Sequence, residues 1–341
     1  MWWVRKRETQ RQSRPGLEAM EGRVVPTTFY AANSAQLAAD VATANNNPTQ
    51  AHTIILANHP YNLTETLQIQ NASNLTIKGT GTNPASVSIV APNDGRAIQV
   101  IGGNLSLENL TVTGGNSVEV GGGIYSVNAN VTLEDTSVTG NNAKVMGGGI
   151  YAQGGNLTVN NSTVSGNISN RNGGGIGAGD ATVTIYNSAI NNNSAINGAV
   201  APNVQSLNSG GGIYAQGGSI VVTSSTVSNN RAFASTYGDS SASIGAAFST
   251  ENSTVTVNQS RVQYNVLNTI ARRANPSFGS SFAAQGGTVT ISNSTVAGNG
   301  PSGKYEFYHP DASIVIKNST IEGKTLVGSY LVGDKRLIRQ S

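Results

Sequence analysis

Apolar residues recur along this chain in a fixed frame. A twelve-residue block begins at Asn104, Asn130, Asn156, Thr182, Ser219, Thr254, Thr288 and Ser313. Its second position reads Leu105, Val131, Leu157, Val183, Ile220, Val255, Val289 and Ile314. Its fourth reads Leu107, Leu133, Val159, Ile185, Val222, Val257, Ile291 and Ile316, and its ninth Val112, Val138, Val164, Ile190, Val227, Val262, Val296 and Ile321. A Gly-rich block ahead of it adds Ile98, Ile124, Ile150, Ile176, Ile213, Phe248 and Phe282, and the residues between are polar. Alternation of period two with β-branched residues predicts strands, punctuated here by Gly and Asn. Two-residue Asn-Gly turns, which a hairpin array needs, do not fall between them. A coil of about 25 residues with three short strands predicts a single-stranded right-handed parallel β-helix, each strand pairing with its equivalent one coil away at about 4.8 Å.

The steps between blocks are 26, 26, 26, 37, 35, 34 and 25 residues. The long steps are all lengthened at one place. Asn141 to Gly147 and Asn167 to Gly173 span six positions, whereas Asn193 to Gly210, Asn230 to Gly245 and Asn265 to Gly279 carry 11, 9 and 8 extra residues. Two polar ladders accompany the frame. The sixth position reads Asn109, Asp135, Asn161, Asn187, Ser224, Gln259, Asn293 and Asn318, and the twelfth Gly115, Asn141, Asn167, Asn193, Asn230, Asn265 and Asn299. Asn and Gly tolerate the left-handed conformation, and stacked Asn side chains hydrogen-bond one another, so both ladders are expected at corners.

Outside the frame the chain divides further. Residues 1–28 lack the repeat and are expected to be a disordered leader. Residues 29–73 are expected to hold a capping helix and the first, irregular coils. The helix is predicted over 34–46, with Ser34 as N-cap and Leu37 and Val41 on one apolar face, covering the open end of the solenoid. The β-helix is predicted over 74–325, and 326–341 as a C-terminal cap or truncated end. No stretch approaches membrane-span length, so no transmembrane segment is expected.

Charged residues are only 11 % of the 341, the net charge is +3, Gly numbers 41 and Cys is absent. The absence of Cys removes disulfides, thiolate metal sites and cysteine nucleophiles. The basic residues gather at the termini, which gives no nucleic-acid footprint. A monomer is expected.

Gly-Gly-Gly-Ile-Tyr, at 121–125, 147–151 and 210–214, with Asn-Ser-Thr-Val-Ser-Gly-Asn at 161–167, resembles the repeats of bacterial right-handed β-helix proteins, the pectate-lyase-like superfamily and polymorphic outer-membrane proteins among them. The resemblance covers roughly 50–325. It implies the fold, while the superfamily holds lyases, hydrolases and adhesins alike. Arg14-Pro-Gly-Leu-Glu-Ala-Met-Glu-Gly-Arg-Val-Val-Pro26 resembles a segment common in planctomycete exported proteins, with Met20 where a Leu is usual. That resemblance implies an extracellular or cell-envelope location.

Catalysis on polysaccharides would need grouped carboxylates. Candidates are Asp239, Glu251 and the pair Glu108 and Glu134, which share the fifth position on adjacent coils. A lyase would add calcium as cofactor; otherwise no cofactor and no metal is expected, His52, His59 and His309 being far apart. The inserts 194–209, 231–244 and 266–278 should lie side by side as loops on one face. They contain Arg231, Phe233, Tyr237, Arg272, Arg273 and Phe278. With Tyr125, Tyr151 and Tyr214 these are the candidate ligand-binding residues, facing a polysaccharide or cell-envelope surface. The sequence therefore predicts a non-catalytic scaffold, adhesin or glycan binder. A polysaccharide lyase or glycoside hydrolase acting on an acidic polysaccharide is the alternative.

Overall fold

The computed structural model describes residues 26–70, 74–117, 119–197, 206–236, 241–271, 278–300, 305–308, 311–322, 330–332 and 338–339. Every pairing of strands within them is parallel, and the strands form three sheets of 21, 11 and 6 members. The register joins the blocks read from the sequence. Asn104, Asn130, Asn156 and Thr182 are successive partners, as are Thr182, Ser219, Thr254, Thr288 and Ser313. The chain is an all-β, right-handed parallel β-helix.

The core runs down the axis as stacked identical positions. The second, fourth and ninth positions and the isoleucines of the Gly-rich block are all buried. In the last of these columns the aromatic rings of Phe248, Phe282 and Phe307 stack face to face, with centroids 4.7 and 5.2 Å apart and rings within 4° of parallel. They take the place of Ile213 on successive coils.

The two polar ladders have different roles. The sixth-position residues all adopt positive φ, from Asn109 at 51° to Asn318 at 45°, and form the exposed corner expected of them. The twelfth-position asparagines do not. The left-handed residue there stands one place earlier, at Gly114, Gly140, Gly166, Asn192, Asn229, Tyr264 and Gly298. Asn141, Asn167, Asn193, Asn230 and Asn265 are buried, and each Oδ1 accepts from the backbone N–H and the Nδ2 of the Asn, or the N–H of Gly115, in the preceding coil at 3.0–3.1 Å. Asn193 Nδ2 also donates to the carbonyl of Val164 at 2.9 Å. A third ladder follows the sixth position. Ser162, Ser188, Ser225, Ser260, Ser294 and Ser319 each accept at Oγ from the preceding coil's backbone N–H, again at 3.0–3.1 Å.

The Gly-Gly-Gly runs follow from the Asn ladder. A Cβ at Gly148 would lie 2.3 Å from the Ile168 carbonyl oxygen, and one at Gly149 2.9 Å from Asn167 Nδ2. The backbone has to pass this close for the corner to enclose the asparagine, so no side chain fits.

At the N-terminal end the helix α1, Ser34–Asn46, lies where the sequence placed it and buries Leu37, Val41 and Ala44. Its N-cap is Asn33 rather than Ser34: Asn33 Oδ1 accepts from the Gln36 N–H at 2.9 Å. A strand at Thr27–Ala31 pairs with His52–Leu56, so sheet pairing begins inside the segment bounded at 28. Residues 1–25, with most of the export-like segment, lie outside the described residues. At the other end Tyr330–Val332 and Ile338–Arg339 pair in parallel with 314–316 and 321–322, so strand pairing continues into 326–341.

Two substitutions test which column carries most. Asn193→Ala strands buried partners in the two neighbouring coils and should cost about 3 kcal/mol, while Asn192→Ala on the exposed corner should cost no more than about 1. Phe282→Ala should cost about 3–5 kcal/mol. Shifts in the urea midpoint, read by far-ultraviolet circular dichroism, check all three.

Candidate functional site

The three inserts begin as strands rather than loops. In ordinary coils the smallest sheet has two-residue strands, at Asn116–Ser117, Asn142–Ala143 and Ile168–Ser169. In the inserted coils these lengthen to Ser194–Asn197, Arg231–Thr236 and Val266–Ala271, paired in register Ser194 to Arg231 to Val266 and Ile196 to Phe233 to Asn268. The chain returns through Ser206–Gly210, Ser241–Gly245 and the start of Phe278–Ser292, which pair with one another in the largest sheet. The two sets of strands lie against each other as a flange. The correction has a simple cause. The middle insert has an equivalent one coil away on either side and the outer two have one each, and parallel pairing satisfies the backbone groups that a loop would leave to water.

On the flange Ala195, Ala232 and Leu267 are buried, and Ile196, Arg231 and Val266 beside them are exposed. Arg231 is exposed and Phe233 half-buried. Phe278 is placed as a strand residue opposite Ile244. Tyr237, Asp239, Arg272 and Arg273 lie outside the described residues, as does His309.

The tyrosines do not form an open platform. Tyr151 and Tyr214 are 9 % and 4 % exposed. Arg96 lies over the Tyr125 ring, 4.5 Å from its centroid, and Tyr125 stacks on Tyr151 at 6.0 Å. At the next coil the column holds Gly177, where a Cβ would approach Tyr151 Cδ2 to 2.9 Å. Tyr214 follows and donates from its hydroxyl to Glu251 Oε1 at 2.9 Å. The expectation that these rings face a sugar is therefore corrected: Tyr151 and Tyr214 are covered, and Tyr125 is half-buried beneath a guanidinium. Burial pushes the Tyr214 hydroxyl well above its ordinary value, and the carboxylate of Glu251 pushes it further. Burial raises Tyr151 as well, with Tyr125 and Asp180 adding to it. It lowers Arg96, against the opposing charge of Glu119.

The candidate carboxylates among the described residues, Glu108, Glu134 and Glu251, are each engaged. Glu251 also accepts from Gln216 Nε2 at 3.3 Å. Glu108 and Glu134 are register partners, as the frame required. Glu108 is ion-paired with Lys78 at 3.1 Å, and Glu134 accepts from Asn160 and Asn161 at 2.5 and 2.9 Å. Two carboxylates so partnered are braced as ladder members. His52 Nε2 meets the carbonyl of Asn47, and the ring nitrogens of His59 meet those of Ala32 and Pro60. Among the described residues no three His, Asp or Glu gather as a metal site.

Residues that the sequence reading did not single out stand on the same small sheet. Ile168, Ile196 and Val266 are 39, 41 and 39 % exposed, and Lys144 and Arg171 flank them. The position after each ladder asparagine reads Asn142, Ile168, Ser194, Arg231, Val266, so an apolar residue at an outward slot was the available signal.

No protein-family model matches the chain, and no curated protein matches it in sequence. Solved structures match at low scores. A pectin methylesterase from carrot has a TM-score of 0.44 and 10 % identity, covering 93 % of this chain and 90 % of that one. The A-module of the mannuronan C-5 epimerase AlgE4 from Azotobacter vinelandii has 0.38 and 10 %, over 90 % and 97 %. PfbA, a surface adhesin of Streptococcus pneumoniae, has 0.32 and 9 %, over 85 % and 86 %. Likeness at this level says nothing of activity.

The tyrosine column yields a pH test with a definite sign. A hydroxyl whose folded pKa is raised stabilises the fold below the unfolded value of 10.0 and loses that contribution as pH rises toward the folded value. Thermal stability should fall from about pH 10 upward, and Tyr151→Phe with Tyr214→Phe should flatten that fall; melting temperatures at pH values from neutral to strongly alkaline measure it.

Proposed function

We propose that this chain is a non-catalytic β-helix of the extracellular space or cell envelope, an adhesive scaffold whose contact surface is the flange. One observation carries the reading. The described parts of the three inserts are ordered parallel strands, and two of the seven exposed large apolar residues among the described ones, Ile196 and Val266, stand on them, with Ile168 on the neighbouring strand. The other four, Tyr30, Ile101, Tyr186 and Tyr264, lie outside the smallest sheet, and exposed apolar clusters on ordered elements mark contact sites. Phe233 and Arg231 add an aromatic edge and a bidentate donor, a pairing suited to envelope glycans. The extracellular or envelope placement rests on the export-like segment near the N-terminus. The alternative of a polysaccharide lyase or glycoside hydrolase is weakened because Glu108, Glu134 and Glu251 each hold a structural partner.

The test trims the flange and keeps the coils. Shortening the three inserts to the six-position spacing of Asn141 to Gly147 should leave the circular dichroism spectrum unchanged in form. It should lower retention on isolated bacterial cell envelopes at least about tenfold, a loss of about 1.4 kcal/mol. Undiminished retention would refute the reading. Incubation of the intact chain with uronate and neutral polysaccharides, with and without calcium, should yield neither unsaturated products nor new reducing ends.

A further inference from the structure

The outward face of the six-strand sheet combines two chemistries. Ile168, Ile196 and Val266 are exposed on strands one and two coil steps apart, and Phe233 stands between Ile196 and Asn268 in the register. Lys144, Arg171 and Arg231 are exposed on the same strands or one to two residues beyond them. The six strands contain no Asp or Glu. At the upstream end of the face the charge of Glu119 is matched by Arg96 at 3.5 Å. Both Arg171 and Arg231 also engage neighbours within the chain, and their charges remain at the surface.

The aliphatic residues narrow the partner. Branched aliphatic side chains have no π face for a sugar to stack on, so they gain only by leaving water for an apolar medium. The cations require negative charge at the edge of that medium. Strands about 4.8 Å apart spread the residues from Ile168 to Val266 over about 14 Å along the solenoid axis, a row that a plane can meet at one time. A lipid surface with anionic headgroups supplies the hydrocarbon, the charge and the plane together.

We infer that this face seats the protein on an anionic lipid surface, with Ile168, Ile196, Phe233 and Val266 entering the headgroup boundary and Lys144, Arg171 and Arg231 meeting the headgroups. The inference rests on the reading of the flange as the contact surface and names its partner.

Co-sedimentation of the full chain with vesicles tests it. One set is phosphatidylcholine alone; the other holds phosphatidylcholine and phosphatidylglycerol in equal amounts. The expected result is at least about tenfold more protein bound to the anionic set. That binding should weaken steeply between about 0.01 and about 0.15 M salt, as the screening length falls from about 30 to about 8 Å. Ile168→Asn with Ile196→Asn and Val266→Asn should remove it, because Asn already occupies the column of Ile168 and Val266 at 116 and 142 and that of Ile196 at 268. Lys144→Gln with Arg171→Gln and Arg231→Gln should also remove it, whereas Lys317→Gln on the largest sheet should not. Equal binding to both vesicle sets overturns the inference. So does retention on cell envelopes without binding to either vesicle set, which leaves the adhesive reading standing; failure to bind envelopes or vesicles removes both. A concentration-dependent dimer in lipid-free buffer that the triple Asn variant abolishes would make a second copy the occupant and overturn it too.

Discussion

The solenoid depends on the buried hydrogen bond that one coil's asparagine carbonyl accepts from the coil before. A short coil has to turn sharply while keeping its backbone groups satisfied, and burying an unmet amide costs on the order of 1–3 kcal/mol. Asn167 meets this demand at both ends: its Oδ1 takes the N–H and Nδ2 of Asn141, and its own Nδ2 reaches Asn193 and the Val138 carbonyl. Gly148 and Gly149 then lose their side chains to let the neighbouring backbone close over it. The most visible sequence repeat is thus a consequence of the less visible one. Serine at the adjoining corner repeats the device with a shorter side chain.

This dependence explains where variation is tolerated. The inserts enter between the ladder asparagine and the Gly-rich run, so Asn193, Asn230 and Asn265 hold the corner while extra residues leave it. Once three successive coils depart at the same point, their departing strands have partners, and a sheet is cheaper than three loops. Beneath the flange Ala195, Ala232 and Leu267 continue the buried column of Ser117, Ala143 and Ser169. On the outer face of this sheet, among the described residues, alternation breaks down together at Ile168, Ile196 and Val266.

Most of the architecture was legible in the sequence because inward positions stack on copies of themselves. The register partners of Leu105 and Leu107 could be written down from spacing alone, as could the left-handed corner at Asn109. Side-chain direction at the turns was not legible. Polarity tells which way a residue faces on a strand, where directions alternate, but at a bend a polar residue faces either way. Hence the twelfth-position asparagines were legible only as corner residues, and the serines after the sixth position carried no signal of their own. Tyr151 and Tyr214 misled for a related reason: they do point away from the barrel interior, yet neighbouring coils bury both, Gly177 lying against Tyr151 and Glu251 accepting from Tyr214. Of the flange, the coils that carry it were legible and its outer surface was not, since Ile168 belongs to a coil without an insert.

The asparagine ladder has one further property. All of its side-chain carbonyls face the preceding coil, from Asn141 to Asn299. Their dipoles therefore add head to tail, with the negative end toward α1, in the manner of peptide dipoles in a helix. Chains of such bonds polarise one another in a medium of low dielectric. The column is in effect a buried electret, a standing axial polarisation that carries no net charge and that surrounding salt screens little. Its sign is fixed by the direction of the chain, so the two ends of this solenoid are electrostatically unlike even where their surface residues are the same.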